Sequence, residues 1–439
     1  MKTVFVLGAG MVSRPLVHYL LEKGFAVTLG DINESQAKAV IGEHAAGTAL
    51  KLDIGQKEEV SALVAKADLV VSLLPPKFHQ DVAKLCLLHS KNFLTASYLS
   101  DEMKAMDEEV KAKGLIFLNE VGLDPGIDHM TAMEMIHDFK DNGYEIECFD
   151  SHCGGIPSKT AANNPLRYKL SWSPVGVLGA ITRPARFRRK GHLIQTAEHE
   201  TLAHMEVLHV PGLGIFESNP NGDSLYYGDR FGLEGVPTVR RGTIRYPGWS
   251  QFWMFMLRLD FVNKTREMDF DNEQVLDALF KLGGKTPPVN IYNFIHEEAD
   301  THASTFMECL DSLGFLDPDC RISGKHSCFS IVLICMEKYM QYGEDERDLV
   351  VLHHEMIARK DGQRVRWTST MVREGDAEDT AMACLVGIPA AIAARLILEG
   401  GFAKRGVMIP IHKEIYTPIL AELSERGLPH QVIKQNVAG

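Results

Sequence analysis

The chain has 439 residues, of which 45% are hydrophobic, and a formal net charge of −12. This length allows a large core and two or three domains. The acidic balance argues against nucleic-acid or anionic-membrane partners, because phosphate groups are bound by basic faces. No apolar run reaches the roughly eighteen residues of a membrane span, and no signal peptide precedes the first predicted strand. We therefore expect a cytoplasmic protein.

The chain begins with the pattern of a strand, a tight turn and a helix. The apolar run 4–7 leads into Gly8-Ala9-Gly10, and a helical pattern follows. Glycines at these positions allow the backbone to approach a pyrophosphate, which the helix N-terminus then stabilises. Asp31 ends the next apolar run, where a carboxylate can accept hydrogen bonds from ribose hydroxyls. An ordinary glycine turn with a surface Asp is the alternative. The predicted dinucleotide-binding residues here are Gly8, Gly10, Met11, Val12 and Asp31.

Strands and helices continue to alternate up to residue 118. Strands are predicted at 48–52, 69–74, 93–96 and 115–118, with helices at 57–66, 80–88 and 101–113. Nearly continuous apolar strands separated by helices are typical of a doubly wound parallel sheet. Ligands of such sheets bind beyond the carboxyl ends of the strands. This rule adds Asp53 and Leu74 to the cofactor site, and it places Ser97 and Tyr98 at a neighbouring strand end.

The segment after the sixth strand, 119–129, combines carboxylates, glycines and a proline. A plain Asp-Pro-Gly turn is one interpretation, and Asp128 as a cap of the helix predicted at 130–139 is another. The functional interpretation is strengthened by Tyr98, which would lie at the adjacent strand end.

The middle of the chain has a different pattern. A strand at 145–150 is followed by a loop at 163–174 that offers amide, hydroxyl, cationic and indole groups, which suit a polar amino-acid substrate. An irregular interface loop is the alternative. A strand at 239–246 carries several arginines, which are good carboxylate clamps, although surface strands also carry arginines.

The last third is predicted to be mainly helical at 247–340, with its apolar cluster at 252–262 in buried packing. Two strand-like runs, 349–359 and 363–371, are joined by Asp361-Gly362, a strong hairpin signal. Helices at 380–386 and 390–398 are separated by Gly387-Ile388-Pro389. Whether the last helix covers the nucleotide-binding sheet is open at this point.

Several motifs together are more specific than a glycine turn. They are Leu7–Val12 with Pro15, then 72–75, 95–98, 119–129, 153–155, 164–169, 171–174 and 241–246, and finally 346–348 with 380–383. In these segments the chain resembles the glutamate-forming saccharopine dehydrogenases of lysine metabolism, nearly from end to end.

The resemblance implies an α/β chain with a Rossmann-type doubly wound parallel sheet, an α+β substrate and dimerisation domain and a helical insertion. The expected boundaries are 1–124 with 386–439 for the NAD-binding domain, 125–250 with 343–385 for the substrate domain and 251–342 for the insertion. It also implies a homodimer.

The resemblance further implies NAD(P)-dependent oxidation of the secondary amine of saccharopine to L-glutamate and α-aminoadipate semialdehyde, or the reverse condensation. It places Ser97, Tyr98, Asp124, Trp172, Ser173, Thr243 and Arg245 at the substrate. The catalytic candidates are Tyr98, Asp124 and Cys153, with the proton-transfer group left open. The eight cysteines form no C-x-x-C pair and have no His partners at zinc spacing, so we expect reduced thiols and no metal.

Two departures from the family pattern bear on cofactor and substrate. Asp31 and Ile32 stand where fungal members carry an Arg suited to a 2′-phosphate, which predicts NAD over NADP. Gly222 replaces an arginine that would clamp a substrate carboxylate. Losing such a clamp costs a few kcal/mol, on the order of 10²-fold in affinity. Either Arg167 or Lys169 substitutes, or the substrate has fewer carboxylates, such as lysine or carboxynorspermidine. A non-catalytic NAD sensor is the remaining alternative.

Overall fold

A computed structural model describes residues 1–437 of the chain. The residues form two compact units, which are 1–145 with the chain from 358 onward (unit 1) and 146–357 (unit 2). The three-domain division expected from the sequence stays a prediction.

The first 145 residues alternate strands and helices. The strands form from apolar runs because their side chains are buried on both faces of a sheet, as in Leu69–Ser72, where all four residues are buried. The elements are β1 (Thr3–Leu7), α1 (Ser13–Glu22), β2 (Ala26–Asp31), α2 (Glu34–Ile41), β3 (Gly47–Lys51), α3 (Lys57–Lys66), β4 (Leu69–Ser72), α4 (His79–Leu88), β5 (Asn92–Thr95), α5 (Asp101–Lys104), α6 (Asp107–Ala112), β6 (Ile116–Leu118) and α7 (Ile127–Asp141).

Residues 146–357 mix longer strands with helices. The elements are β7 (Glu145–Pro157), α8 (Pro174–Thr182), β8 (Arg186–Arg189), β9 (His192–Gln195), β10 (Glu206–Val210), β11 (Gly214–Pro220), α9 (Ser224–Arg230), β12 (Thr238–Arg245), α10 (Trp249–Arg258), β13 (Glu267–Gln274), α11 (Val275–Leu282), α12 (Ile291–Ala299), α13 (Ala303–Ser312), β14 (Arg321–Ser327), α14 (Cys328–Tyr339) and β15 (Asp348–Lys360).

The remaining chain returns to unit 1. Strand β15 crosses the unit boundary and reaches a turn at Asp361 and Gly362, as the hairpin signal predicts. The elements after the turn are β16 (Gln363–Glu374), α15 (Ala381–Glu399), β17 (Gly406–Met408), α16 (Lys413–Glu425) and β18 (Gln431–Val437).

Unit 1 contains a seven-stranded sheet with the order β17-β6-β5-β4-β1-β2-β3. Every pair is parallel, which confirms the predicted doubly wound sheet. The C-terminal strand β17 extends it, because Val407 pairs with Phe117. The strand order reverses between β1 and β4, and at such a point the loops after the strands diverge and leave room for a ligand.

Unit 2 contains a mixed sheet and a helical part. Strands β10, β11 and β12 are antiparallel neighbours, whereas β12 pairs with β7 in parallel. The helices α10 to α14 enclose an aromatic and aliphatic core that includes Phe252, Trp253 and Phe306, so the apolar cluster at 252–262 is buried packing, as predicted. A β13–β14 ribbon interrupts the helical region.

Strand β12 is central to unit 2. It has β11 and β7 as neighbours and also pairs with β8 at Val239. Its arginines Arg240, Arg241 and Arg245 are therefore buried, each at most 7% exposed. The alternative of a surface strand is wrong.

The two helices predicted at 380–398 are one helix, α15, with Pro389 inside it. Gly387 lies against α1, because a Cβ there would be 2.9 Å from the Val12 carbonyl oxygen. Pro389 has no N–H, so the helix lacks one backbone hydrogen bond at this position. Helix α15 has 19 residues, and an 18-residue window of it has a mean hydropathy of 2.1, so it could cross a membrane by length and composition only. Of that window, 72% is buried inside the protein, as in a core helix.

Candidate active site

The turn after β1 is built for a close approach of backbone to backbone. Gly8 has φ +102°, and a Cβ on it would lie 3.2 Å from the carbonyl carbon of Leu73. At Gly10, by contrast, a Cβ would meet nothing within 4 Å. The N-cap residue of the following helix α1, Val12, makes no side-chain capping hydrogen bond. The open space and the uncapped helix N-terminus fit the pyrophosphate of a dinucleotide.

Asp31 holds this turn in place. At the end of β2, its Oδ2 accepts a hydrogen bond of 2.7 Å from the Ala9 N–H, and its Oδ1 accepts one of 2.8 Å from the Asn33 N–H. Each carboxylate oxygen has a second lone pair, so a ribose hydroxyl can still donate to it. The sequence predicted the ribose contact and missed the structural one.

The other predicted cofactor residues follow strands at the carboxyl edge of the sheet. Met11 is 54% exposed in the glycine turn, and Val12 is the N-cap of α1. Leu74 is half-buried beyond β4. Asp53 is exposed beyond β3, where its Oδ1 accepts a hydrogen bond from the Gly55 N–H. All four lie at the edge where doubly wound sheets bind ligands.

A buried histidine, His79, links two strand ends at this edge. Its Nδ1 lies 2.9 Å from Ser72 Oγ and its Nε2 lies 2.8 Å from Ser97 Oγ. Burial lowers the pKa of His79 to about 4, so the ring is neutral near pH 7 and bridges the two hydroxyls. His79 positions Ser97, a role that the sequence pattern did not indicate.

Tyr98 and Asp124 come together at the ends of adjacent strands. The Tyr98 hydroxyl donates a hydrogen bond of 2.9 Å to Asp124 Oδ1. Tyr98 is 43% exposed, so the pair is accessible to solvent and to a ligand. A phenol bonded to a carboxylate can pass a proton to or from a reacting group.

Glu120, Asp128 and His129 form a buried ionic cluster next to the segments that carry Tyr98 and Asp124. Glu120 Oε2 lies 2.7 Å from His129 Nε2, and Asp128 Oδ2 lies 3.2 Å from His129 Nδ1. Burial alone would lower the pKa of His129, but Asp128 and Glu120 together raise this pKa to about 9. Glu120 Oε1 also accepts a hydrogen bond from the Leu99 N–H, and the Glu120 N–H donates to the Ser97 carbonyl oxygen. The cluster thus joins the segments that carry Tyr98 and Asp124.

A cleft in unit 2 is lined by two of the predicted substrate residues, Thr243 and Arg245. It opens to solvent, and we call it the arginine cleft. Its lining residues include Arg183, Asn219, Gly222, Thr243, Arg245 and Trp249.

Arg245 is the buried cation of the arginine cleft. The residue is 3% exposed, with its guanidinium carbon 4.9 Å from the centre of the Tyr168 ring and 5.2 Å from that of Trp249. Its Nη1 donates to the Ile244 carbonyl oxygen, while its Nε has no hydrogen-bond partner among residues 1–437. A buried guanidinium without a carboxylate is costly, so Arg245 is suited to bind an anionic ligand group.

Three predicted residues of unit 2 do not line the cleft. Trp172 donates from its indole N–H to the Tyr168 hydroxyl at 3.2 Å, and Ser173 caps α8 by accepting from the Gly176 N–H. Cys153, 5% exposed on β7, pairs in register with Thr243. Their roles at a substrate stay predictions.

The two cations suggested as replacements at position 222 have other partners. Arg167 lies 4.0 Å from the centre of the Tyr246 ring. Lys169 forms an ion pair with Glu346, whose pKa is lowered to about 2 by the Gly343 N–H and by Lys169. Neither lines the arginine cleft. No group of three or more His, Cys, Asp or Glu suited to a metal ion occurs within residues 1–437.

Comparison with known proteins identifies relatives along nearly the whole chain. Residues 4–118 match the saccharopine dehydrogenase NADP binding domain, and residues 122–428 match the saccharopine dehydrogenase C-terminal domain.

Individual relatives carry related names. Saccharopine dehydrogenase [NADP(+), L-glutamate-forming] of Pyricularia oryzae is 33% identical, with 97% of each chain covered. Alpha-aminoadipic semialdehyde synthase, mitochondrial, of Bos taurus is 34% identical, and the match covers 97% of this chain and 47% of that protein. The apo structure of saccharopine dehydrogenase (L-Glu forming) from Saccharomyces cerevisiae matches with a TM-score of 0.85 and 27% identity over the whole of both chains.

Proposed function

The chain belongs to the saccharopine dehydrogenase family, and on that basis we propose that it oxidises the secondary amine of saccharopine with NAD. The products are L-glutamate and α-aminoadipate semialdehyde. The observation that carries the proposal is the buried Arg245, which has no carboxylate ion-pair partner among residues 1–437 and lines a cleft that opens to solvent.

The cofactor is NAD because Asp31, the last residue of β2, and Ile32 after it do not suit a 2′-phosphate. A 2′-phosphate would meet the Asp31 carboxylate and the apolar Ile32, which is 70% exposed, and like charges repel. NADP is the second candidate, since the relatives are named NADP(+)-dependent and Lys51 is the β3 neighbour of Asp31. When bound, the nicotinamide accepts a hydride.

The substrate is held by its carboxylates. Arg245 binds one of them, and its two aromatic neighbours keep the guanidinium in place. The Thr243 hydroxyl lines the same cleft. Hydride then leaves the lysine-side carbon that is bonded to the bridging nitrogen, which produces an iminium ion.

Tyr98 and Asp124 handle protons. The bridging amine must be neutral to release hydride, and water must lose a proton as it adds to the iminium carbon. The amine loses its proton to solvent; the Tyr98 hydroxyl then takes a proton from the attacking water as it passes its own proton to Asp124, and the pair returns this proton to the nitrogen as the C–N bond breaks. Cys153 is a candidate for the same role, supported by its register with Thr243.

A less carboxylated amine is the alternative substrate, and Gly222 favours it because a glycine adds no cation to the cleft. Steady-state kinetics with saccharopine, lysine and carboxynorspermidine distinguish the two. The proposal expects kcat/KM for saccharopine to exceed the others by at least about 100-fold, the value of one charged clamp. Higher kcat/KM for either other amine contradicts it.

We also propose a homodimer and a cytoplasmic location, which rest on the family resemblance and on the sequence alone. Sedimentation velocity at micromolar protein concentration tests the first, since a single species of monomer mass contradicts it. Microscopy of the tagged chain in its native cell tests the second.

A further inference from the structure

The arginine cleft has a second arginine, Arg183, for which residues 1–437 provide no ion-pair partner. Arg183 follows helix α8, is exposed and lines the cleft together with Arg245. Within residues 1–437, neither guanidinium forms an ion pair. Two guanidinium groups without an ion pair at one cleft favour the binding of an anionic group.

Nearby cations differ from Arg183 in this respect. Arg186, three residues further along, is paired with Asp223 at 2.8 Å, and Arg189 is paired with Glu206 at 2.7 Å. Neither Arg186 nor Arg189 lines the cleft. Arg183 is therefore the rim residue whose charge is available to a ligand.

Gly222 leaves this part of the cleft open. It has φ +57°, and a Cβ there would meet nothing within 4 Å. Its carbonyl oxygen accepts a hydrogen bond from the Arg186 N–H at 3.0 Å. The backbone at Gly222 is therefore fixed in position, and no side chain covers it. A ligand carboxylate beside Gly222 would need its cation from another element, and Arg183 lines that same space.

We propose that Arg183 is the second carboxylate clamp of the cleft and selects a substrate end that carries two carboxylates, one for Arg245 and one for Arg183. This inference rests on the proposed function, because it assigns the glutamate end of the substrate to the arginine cleft. Guanidinium and carboxylate form paired, charge-assisted hydrogen bonds, and a monocarboxylate leaves one arginine unpaired.

The test compares Arg183→Gln with Arg183→Lys and with a matched control, Lys190→Gln, which removes an exposed charge seven residues further along and outside the cleft. Arg183→Gln should raise KM for saccharopine about 10–100-fold, the effect of one charged hydrogen-bonded contact, with kcat within about threefold. Arg183→Lys should recover part of the loss, and the control should stay within about twofold of wild type. A KM for Arg183→Gln within twofold of the control overturns the clamp.

Calorimetry with glutarate and with butyrate separates this inference from the proposed function, because it needs no turnover. Arg183→Gln should weaken glutarate binding about 10-fold or more and leave butyrate binding unchanged. If wild type fails to oxidise saccharopine while this pattern holds, the proposed function fails and the clamp stands. If saccharopine is oxidised but glutarate binds wild type and Arg183→Gln equally, or binds neither, the clamp fails.

Discussion

The buried cluster behind Tyr98 predicts how stability depends on pH. His129 has a pKa raised to about 9 by Asp128 and Glu120 against the effect of burial, compared with about 6.5 in an unfolded chain. A raised pKa means that the charged histidine stabilises the fold fully below about pH 6.5. This contribution is lost as the pH rises through about 9. The substitution Glu120→Gln tests this dependence, because it removes one carboxylate and keeps the shape of the side chain.

The magnitude follows from the difference between the two pKa values. A gap of about 2.5 units corresponds to about 3 kcal/mol of stability between pH 6.5 and pH 9. Breaking a buried pair costs about 3–5 kcal/mol, so Glu120→Gln should lower the free energy of unfolding by about that amount at pH 6. At pH 9.5 wild-type His129 is largely neutral, and the cost should fall by about 2–3 kcal/mol.

The assay is urea unfolding at pH 6 and pH 9.5, followed by the fluorine signal of 5-fluorotryptophan at Trp367. This residue reports on unit 1, because its ring stacks 4.0 Å from Phe139 of α7. The control is Asp141→Asn. Asp141 lies on α7, as His129 does, and forms an exposed ion pair with Lys413 of α16. Its loss should lower the free energy of unfolding by the same amount at both pH values. If the cost of Glu120→Gln is also independent of pH, His129 is not held charged and the reasoning is refuted.

Gly8→Ala should destabilise the fold by about 1–3 kcal/mol, because Gly8 has φ +102° and a close backbone neighbour. Gly10→Ala should leave the thermal midpoint unchanged and weaken NAD binding at least about tenfold in a fluorescence titration, since its Cβ would fill the open space kept for the pyrophosphate. Equal effects at both glycines would contradict this assignment. Tyr98→Phe should lower kcat by about 100-fold with little change in KM; a kcat within threefold of wild type argues against proton transfer through the hydroxyl. Because burial lowers the pKa of His79 to about 4, the neutral ring stabilises the fold above about pH 6.5, and about 3 kcal/mol is lost as pH falls through 4. His79→Gln should show a correspondingly smaller loss between pH 7 and pH 4 in urea unfolding.

Much of unit 1 could be predicted because its signals are local. The glycine turn, the apolar strands and the carboxylate at Asp31 lie within short stretches of sequence, and the rule for doubly wound sheets then locates the ligand edge. The same rule placed Tyr98 and the 119–129 segment at neighbouring strand ends, where Tyr98 and Asp124 are hydrogen-bonded.

The remaining features depend on residues that are distant in sequence. Helix α15 continues through Pro389, and Gly387 in the same helix packs against α1, neither of which a local pattern reveals. Arg245 is buried because the strands β7 and β11 flank β12. Glu120 and His129 are only nine residues apart, but both side chains of this pair are completely buried, which a local pattern does not reveal.

In the proposed reaction, hydride passes from the lysine-side carbon of saccharopine to NAD. The most direct measurement uses saccharopine with both hydrogens of that carbon replaced by deuterium, followed by mass spectrometry of the reduced cofactor. The account predicts NADH carrying one deuterium, together with unlabelled L-glutamate. Reduced cofactor without deuterium would mean that hydride leaves the other carbon, and reduction of NADP in preference to NAD would contradict the argument from Asp31.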